Sequence, residues 1–265
     1  YSPFSRAGVQ SAMAYRANFI FFLIGESFKC FVMYFIWKAV FNSSQNQNFM
    51  GFTMEDMTVY VFISFLTGYL SFSDGAFALG EEIVDGSVSM RMIKPCSFDM
   101  CFLFQELGNK VINYSIMFVP IVLGVEIYRF VITGAVQFNI LSFVLFFVSL
   151  QLAYLINFYF NVCYGFLAFF LKNLWGTNLI KDVIVGFLSG STIPLAFMPD
   201  VSLSVLTYLP FASLSYTPVM IYMNMYSPLQ IAFSMLLQAL WLAVFVLVSK
   251  LIWHFAMKHL CIQGG

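Results

Sequence analysis

Residues 138–171 read FNILSFVLFFVSLQLAYLINFYFNVCYGFLAFFL, and they decide the fold because no Asp, Glu, Lys or Arg interrupts them. A helix that crosses the hydrocarbon core of a membrane needs about 20 mostly apolar residues, whereas a membrane-spanning strand needs about ten with alternating polarity. This run is continuous rather than alternating, and it is long enough for a helix. It therefore predicts a membrane-spanning helix.

The whole chain shares this apolar character. Apolar residues make up 61% of it, aromatic residues 20% and charged residues only 9%. We predict an all-α integral membrane protein, with residues 1–265 as a single transmembrane domain. Six spans are placed near 19–41, 58–79, 105–127, 138–171, 177–196 and 229–253. Basic and acidic residues balance at 12 each, so no net charge points to a nucleic-acid partner.

The distribution of Lys and Arg predicts that both termini are cytoplasmic, because cytoplasmic flanks of membrane spans are enriched in these residues. In that orientation the inner side carries Arg6, Arg16, Arg91, Lys94, Lys110, Lys172, Lys181, Lys250 and Lys258, and the outer side carries only Lys38 and Arg129. Residues 1–17 mix small, basic and aromatic types. We interpret them as a helix at the inner interface, with Arg6 and Arg16 reaching the head groups; a cytoplasmic extension of the first span is the alternative.

A charged segment separates the second span from the third. Residues 80–95 read GEEIVDGSVSMRMIKP and hold five of the charges of a nearly uncharged chain. Gly86 is expected to break the helix, Ser87 to cap a new short helix that ends at Lys94, and Pro95 to stop it. A bare turn would need only a few residues, so the extra length favours a docking partner in the cytoplasm. An ordinary solvated connector is the alternative.

Five of the eight prolines fall between residues 194 and 228, and they exclude one straight span there. The stretch is too apolar for a loop in water. Two short helices dipping into the outer leaflet, around 201–208 and 215–225, satisfy both constraints. Irregular backbone at membrane depth requires cover by protein or a watery cavity, so this segment predicts a subunit interface, the outer end of a pathway or a structural plug.

Sequence motifs for catalysis are absent. The chain contains no G-x-x-x-x-G-K-[ST] phosphate loop, no H-E-x-x-H and no G-x-S-x-G, and His254 and His259 have no metal-ligand spacing with the cysteines. We therefore expect neither a catalytic site nor a metal site in this chain.

Most ionisable residues within the predicted spans have a partner nearby in the sequence. The pairs are Glu26 with Lys29, Glu106 with Lys110, Glu126 with Arg129, and Lys181 with Asp182. Asp74 lacks an obvious partner. Because an unpaired charge in a membrane is costly, Asp74 is a candidate for a coupling or substrate role, with a structural hydrogen bond or proximity to the cytosol as the alternatives.

The chain resembles the permease subunits of bacterial type-2 ABC exporters, in the branch of about 260 residues whose permeases are often encoded in pairs beside one ATPase. The resemblance covers essentially the whole chain, and the order and spacing of its stretches carry it. These stretches are residues 14–19, 36–41, 51–60, 81–86, Lys94-Pro95, 193–199, 209–211 and Thr217-Pro218. Met90 and Met92 depart from it, standing where leucine-like residues are expected, but methionine adapts to such positions.

This resemblance implies an inner interfacial helix, a coupling helix between the second and third spans, and short re-entrant helices before the sixth. It places ATPase coupling on Glu81, Glu82, Ile83, Val84, Asp85, Gly86, Ser87, Val88, Met90, Arg91 and Lys94. It places the outer gate near Pro194, Pro199, Pro210, Phe211 and Pro218. It also implies two ATPase subunits, which carry the ATP and Mg, and a second permease, related or identical.

The leading functional hypothesis is therefore a permease in the bacterial plasma membrane that exports an apolar or amphipathic solute and takes its energy from a separate ATPase. A proton-coupled carrier that uses Asp74 is the runner-up, and a membrane scaffold that transports nothing is the third possibility.

Overall fold

The computed structural model describes residues 1–14, 16–43, 48, 51–88, 90, 97–135, 138–171 and 173–259. Eleven α-helices are assigned within these described residues. They are α1 (Ser2–Ala14), α2 (Arg16–Ser43), α3 (Met54–Ser71), α4 (Gly75–Val84), α5 (Phe98–Asn113), α6 (Val119–Thr133), α7 (Ile140–Gly165), α8 (Trp175–Leu188), α9 (Asp200–Tyr208), α10 (Tyr216–Tyr222) and α11 (Pro228–His259). One π-helical turn, Tyr114–Phe118, joins α5 to α6.

Four helical stretches in the described part of the chain are long and apolar enough to cross a membrane. They are Met54–Val84, Asp99–Thr133, Ile140–Phe169 and Pro228–Ala256. They correspond to the second, third, fourth and sixth predicted spans. The chain is thus an all-helical protein of the multi-pass membrane type.

The predicted first and fifth spans correspond to α2 and α8, which are not among these four stretches. The 28-residue α2 carries Glu26, Lys29 and Lys38 and is about 42 Å long at 1.5 Å per residue, which exceeds the thickness of the hydrocarbon core. The 14-residue α8 is about 21 Å long at 1.5 Å per residue, so it is shorter than the hydrocarbon core. It ends at Leu188 rather than near residue 196. Just beyond this end, the hydroxyl groups of Ser189 and Ser191 both donate to the carbonyl oxygen of Gly186.

The second predicted span is two helices rather than one. α3 ends at Ser71 and α4 begins at Gly75, with Phe72, Ser73 and Asp74 between them. Met54–Val84 is nevertheless the most buried of the four long stretches, since 56% of its most apolar 18 residues are buried, against 6% in α11. A helix that is apolar all round belongs inside the protein, and α3 shows this directly.

The core has two parts, which follow the division of the second span. The larger part surrounds α3, where Met57, Ile63 and Leu66 are fully buried against α2, α7 and α10. The smaller part surrounds α4, where Leu79 packs with Phe158 of α7 and other residues of α5 and α7. The break between α3 and α4 therefore separates two packed regions, each with its own core.

Short helices occupy both proline-flanked stretches that the sequence singled out, but they differ in burial. All seven residues of α10 are buried, whereas no residue of α9 is. Val201 on α9 is 79% exposed. α10 is therefore a core element of the protein, and α9 lies on its surface. The position of either helix in the outer leaflet stays a prediction.

Candidate coupling site

The charged segment, residues 80–95, begins in the last turn of α4 and continues into a tight turn. α4 ends at Val84, and the amide of Asp85 donates to the carbonyl oxygen of Glu81. Gly86 follows with φ +79°, a left-handed conformation that favours glycine. The Asp85 carboxylate accepts a hydrogen bond from the amide of Ser87 at 2.8 Å. Hydrogen bonds from the Ser87 hydroxyl and from this amide lower the pKa of Asp85 below its usual range. The helix break predicted at Gly86 is present.

One side chain just beyond the turn is buried in the protein core. Val88 is 2% exposed and belongs to the smaller core, while the amide of Met90 donates to the carbonyl oxygen of Ser87 at 2.9 Å. Residues 88 and 90 are helical, in line with a new helix after Ser87. Arg91 and Lys94, two residues of the predicted coupling segment, lie outside the described residues.

The outer surface of this segment combines acidic and apolar side chains. Glu81 and Asp85 are exposed, Glu82 and Ile83 are half-buried, and two apolar side chains, Val84 at 55% and Met90 at 64%, face outward on either side of the turn. Protein interfaces combine such apolar anchors with a polar rim. The arrangement suits a partner that contacts both kinds of group.

The N-terminal helix is seated on the helix that follows the charged segment. A Cβ atom on Gly8 of α1 would lie 2.1 Å from the carbonyl oxygen of Gln105, and one on Gly108 of α5 would lie 2.1 Å from that of Ser5. The Ser5 hydroxyl also donates to the carbonyl oxygen of Phe104 at 2.9 Å. The two backbones therefore touch at a crossing that only glycine permits.

The two arginines predicted to reach the head groups lie on different helices. Arg6, on α1, is exposed. Arg16 begins α2, and its side chain lies outside the described residues. α1 itself packs along α5, so it is more than a plain extension of α2.

A buried lysine binds the free carbonyl groups at the C-terminal end of α3. The ammonium nitrogen of Lys110 donates to the carbonyl oxygens of Leu70 at 2.8 Å and Phe72 at 2.6 Å. The last carbonyl groups of a helix have no partners within it and carry the negative end of its dipole, so a cation is well placed there. Lys110 is 5% exposed and lies 4.6 Å from the centre of the Tyr154 ring.

The predicted pair of Glu106 and Lys110 makes no direct ion-pair contact, although each side chain lies within electrostatic range of the other. Glu106 accepts a hydrogen bond from the Ser73 hydroxyl at 2.9 Å. Spacing along a helix allowed the pair, but the unpaired carbonyls of α3 and the hydroxyl of Ser73 offered both side chains closer partners. The other three predicted pairs are confirmed, at 3.5, 3.5 and 3.2 Å, for Glu26–Lys29, Glu126–Arg129 and Asp182–Lys181.

A chain of hydrogen bonds runs from the same break to α8. The amide nitrogen of Asn157 donates to the carbonyl oxygen of Ser71 at 2.8 Å, and Asn161 donates to Asn157 at 2.9 Å. The ammonium of Lys181 donates to the amide oxygen of Asn161. Side chains from α7 and α8 are thereby tied to the C-terminus of α3.

Asp74 stands at the centre of this polar region. It precedes the first residue of α4, and its side chain makes no capping hydrogen bond with that helix. It is exposed, and it lies within electrostatic range of Lys110 and Lys181. The sequence left Asp74 without a partner because both cations lie on other helices.

Residues predicted at the outer gate fall partly in the core. Pro194, Pro210 and Pro218 are buried and Pro199 is exposed, while the Phe211 ring meets the Phe160 ring at right angles, 6.0 Å between centres. The structure joins this segment to its surroundings but does not test a gating role.

The segment around α10 is also held by polar contacts. The hydroxyl of Tyr222 donates to Glu126 at 2.5 Å, and the Arg129 guanidinium lies 5.2 Å from the Tyr222 ring. Gln238 of α11 donates to the carbonyl oxygen of Ser213 at 2.9 Å. α10 is therefore joined to α6, and the turn that precedes α10 is joined to α11.

Sequence reasoning missed Asn157, Asn161 and Gln238. The available signal was an amide side chain within an uncharged span, since polar residues in membrane helices commonly bond to neighbouring helices. Asn157 and Asn161 are also four residues apart, which places them on one face of α7. Which helix each of them contacts cannot be predicted from its position in the sequence.

A family model described as "ABC-2 family transporter protein" matches residues 28–264. A search of curated proteins finds no match to the chain.

Proposed function

Because the chain belongs to the family of ABC-2 transporter proteins, we propose that it is the membrane-spanning subunit of an ATP-driven exporter. In this proposal it forms half of a translocation path across a bacterial plasma membrane. Six spans, with α2 as the first and with α8 and the residues after it up to 196 as the fifth, place both termini on one side, and the distribution of Lys and Arg makes that side the cytoplasm. The engine is a separate ATPase with two subunits per complex, which holds the ATP and Mg, and the other half of the path is a second permease, related or identical.

One observation carries the assignment of the ATPase contact. The turn at Asp85–Ser87 leaves Val84, Asp85 and Met90 exposed while Val88 is buried in the protein core. An exposed contact surface with a buried anchor is suited to transmit force, because a push on the surface moves the packed residues with it. Residues 81–94 are therefore proposed as the coupling segment.

The route from this segment into the membrane follows α4. α4 packs on α7, and α5 begins directly after the segment and carries α1 on its side. The break at residues 72–74 lets α4 move relative to α3, and Lys110 of α5 and Asn157 of α7 bind carbonyl oxygens on the α3 side of the break. A displacement of the coupling segment is then expected to reach α3, the most buried span.

Charge reversal tests the proposed coupling segment. Glu81→Lys together with Asp85→Lys is expected to lower both co-purification of the ATPase subunit and the transport-dependent part of ATP hydrolysis. Glu55→Lys is the matched control, since Glu55 is an exposed acid at the opposite end of the same Met54–Val84 stretch. Normal coupling in the double variant would exclude residues 81–94 as the contact.

A second candidate function is a proton-coupled carrier, which the position of Asp74 favours. Its carboxylate lies at a helix break within electrostatic range of Lys110 and Lys181, an arrangement in which gain or loss of a proton changes the local charge balance. Transport driven by a pH gradient without ATP, and abolished by Asp74→Asn, would support this function. ATP-dependent export that persists in Asp74→Asn would exclude it.

A further inference from the structure

A cleft of about 340 Å³ lies between α7 and α8, and its position is outside the coupling site described above. Its lining is aromatic and aliphatic apart from a few polar groups. The lining residues are Phe160, Tyr164, Thr177, Ile180, Lys181, Ile184, Val185 and Phe211. This volume and this mixture are typical of sites for small molecules.

On the α8 wall of the cleft, the two polar lining residues lie nearer the start of the helix than Ile184 and Val185, and the apolar Ile180 lies between the two polar ones. Thr177, Lys181, Ile184 and Val185 are spaced by four, three and one residues, so they lie on one face of the helix. The polar pair is nearer the start of α8 and the apolar pair is one turn further on. From Thr177 to Val185 the wall extends about 12 Å at 1.5 Å per residue.

Lys181 is the one charged residue in the lining. Its ammonium donates to Asn161, lies 3.2 Å from Asp182, and stands 5.0 Å from the centre of the Tyr164 ring. The side chain of Lys181 is 9% exposed, whereas that of Asp182 is 43% exposed. Asp182 is thus the less enclosed partner of the pair, and an anion that enters the cleft can take its place on the ammonium.

We propose that this cleft binds an anionic amphiphile with a single hydrocarbon chain. The acidic head group lies against Lys181 and Thr177, and the chain runs along Ile184 and Val185 towards Phe211. The ammonium of Lys181 already pairs with a carboxylate, that of Asp182, so an acidic head group that takes the place of Asp182 keeps the charge of Lys181 compensated. The inference rests on the proposed function and names the class of solute that the exporter takes up.

Binding to the purified protein, without any ATPase, tests the proposal. Native mass spectrometry would count molecules of dodecanoic acid, or of its methyl ester, bound across a concentration series. The acid is expected to bind about tenfold more tightly than the ester, which has the same chain but no charge. Equal affinities of the wild-type protein for the two probes would overturn the proposed head-group contact.

Two variants locate the site. Lys181→Met is expected to bind the acid and the ester with equal affinity, because the head-group contact is lost while the apolar wall remains. Val185→Trp is expected to fill the cleft and abolish binding of both probes. Val183→Trp is the matched control, because Val183 is on α8, 74% exposed, and outside the lining. Unchanged binding in Val185→Trp would exclude the cleft.

The result stays informative if Lys181→Met does not fold, because the comparison of acid with ester and the Val185→Trp variant do not depend on it. ATPase stimulation by dodecanoic acid in the reconstituted complex is a separate measurement. If dodecanoic acid binds to the purified protein but does not stimulate the ATPase, only the proposed function is contradicted. Loss of binding with intact coupling would contradict the cleft alone.

Discussion

The ammonium nitrogen of Lys110 lies 2.6 Å from the carbonyl oxygen of Phe72, in the gap where α3 has ended and α4 has not begun. A break in a membrane-spanning helix is destabilising, because the freed backbone groups find no water to bind in the hydrocarbon core. Lys110 supplies the missing donors from α5. The same contact links the break to the helix that begins directly after the coupling segment.

Replacement of this lysine is expected to destabilise the protein. Lys110→Met leaves the carbonyl oxygens of Leu70 and Phe72 without their donor, which costs about 1 to 3 kcal/mol when such groups are buried. Thermal unfolding in detergent measures the loss. Lys250→Met is the control, since Lys250 is exposed on α11. Equal melting temperatures for the two variants would show that the break does not depend on Lys110.

The crossing of α1 and α5 is expected to tolerate no side chain. In Gly8→Ala the new Cβ atom would meet the carbonyl oxygen of Gln105 at 2.1 Å, so α1 must shift. Overpacking of this kind costs about 1 to 3 kcal/mol. Limited proteolysis of α1, compared with Gly124→Ala, measures the effect, because a Cβ on Gly124 meets no atom within 4 Å. The same digestion rate in both variants would argue against a seated α1.

The turn after α4 separates the effect of charge from that of hydrogen bonding. Asp85→Asn keeps an acceptor for the Ser87 amide, whereas Asp85→Ala removes it. If the turn geometry matters for coupling, ATP hydrolysis linked to transport falls more in the alanine variant. Larger loss in the asparagine variant would indicate that the charge alone is required.

The state of Asp85 also predicts a pH dependence. Ser87 lowers the pKa of this carboxyl, so its stabilising bonds are complete above the ordinary pKa of an aspartate and are lost only as the pH falls through the lowered value. Between about pH 5 and pH 8 the residue therefore stays ionised. Wild-type and Asp85→Asn proteins are expected to show coupling profiles of the same shape over that range, and a step present only in the wild type would contradict this.

Attachment of α10 to α6 depends on one phenol. Tyr222→Phe removes the hydrogen bond to Glu126 and is expected to lower the free energy of unfolding by about 1 to 2 kcal/mol. Tyr208→Phe on α9 serves as the control, because Tyr208 is 59% exposed. Chemical denaturation of both variants gives the comparison, and a Tyr208→Phe loss as large as that of Tyr222→Phe would remove the special role of this contact.

Local sequence determined the helical character, the approximate places of the long apolar helices, the turn at Gly86 and the two short helices among the prolines. These features depend on the length of an apolar run, or on residues such as glycine and proline whose conformational limits act within a few positions. Folding elsewhere in the chain changes them little.

Tertiary structure alone decided which groups meet. It joined Lys110 to the end of α3 rather than to Glu106, placed Lys181 in electrostatic range of Asp74, buried α10 and exposed α9. A polar group in an apolar surrounding takes the nearest available partner, and in a bundle of helices that partner belongs to a segment distant in the chain. Spacing along one helix cannot identify such a partner, because it depends on how the helices pack against one another.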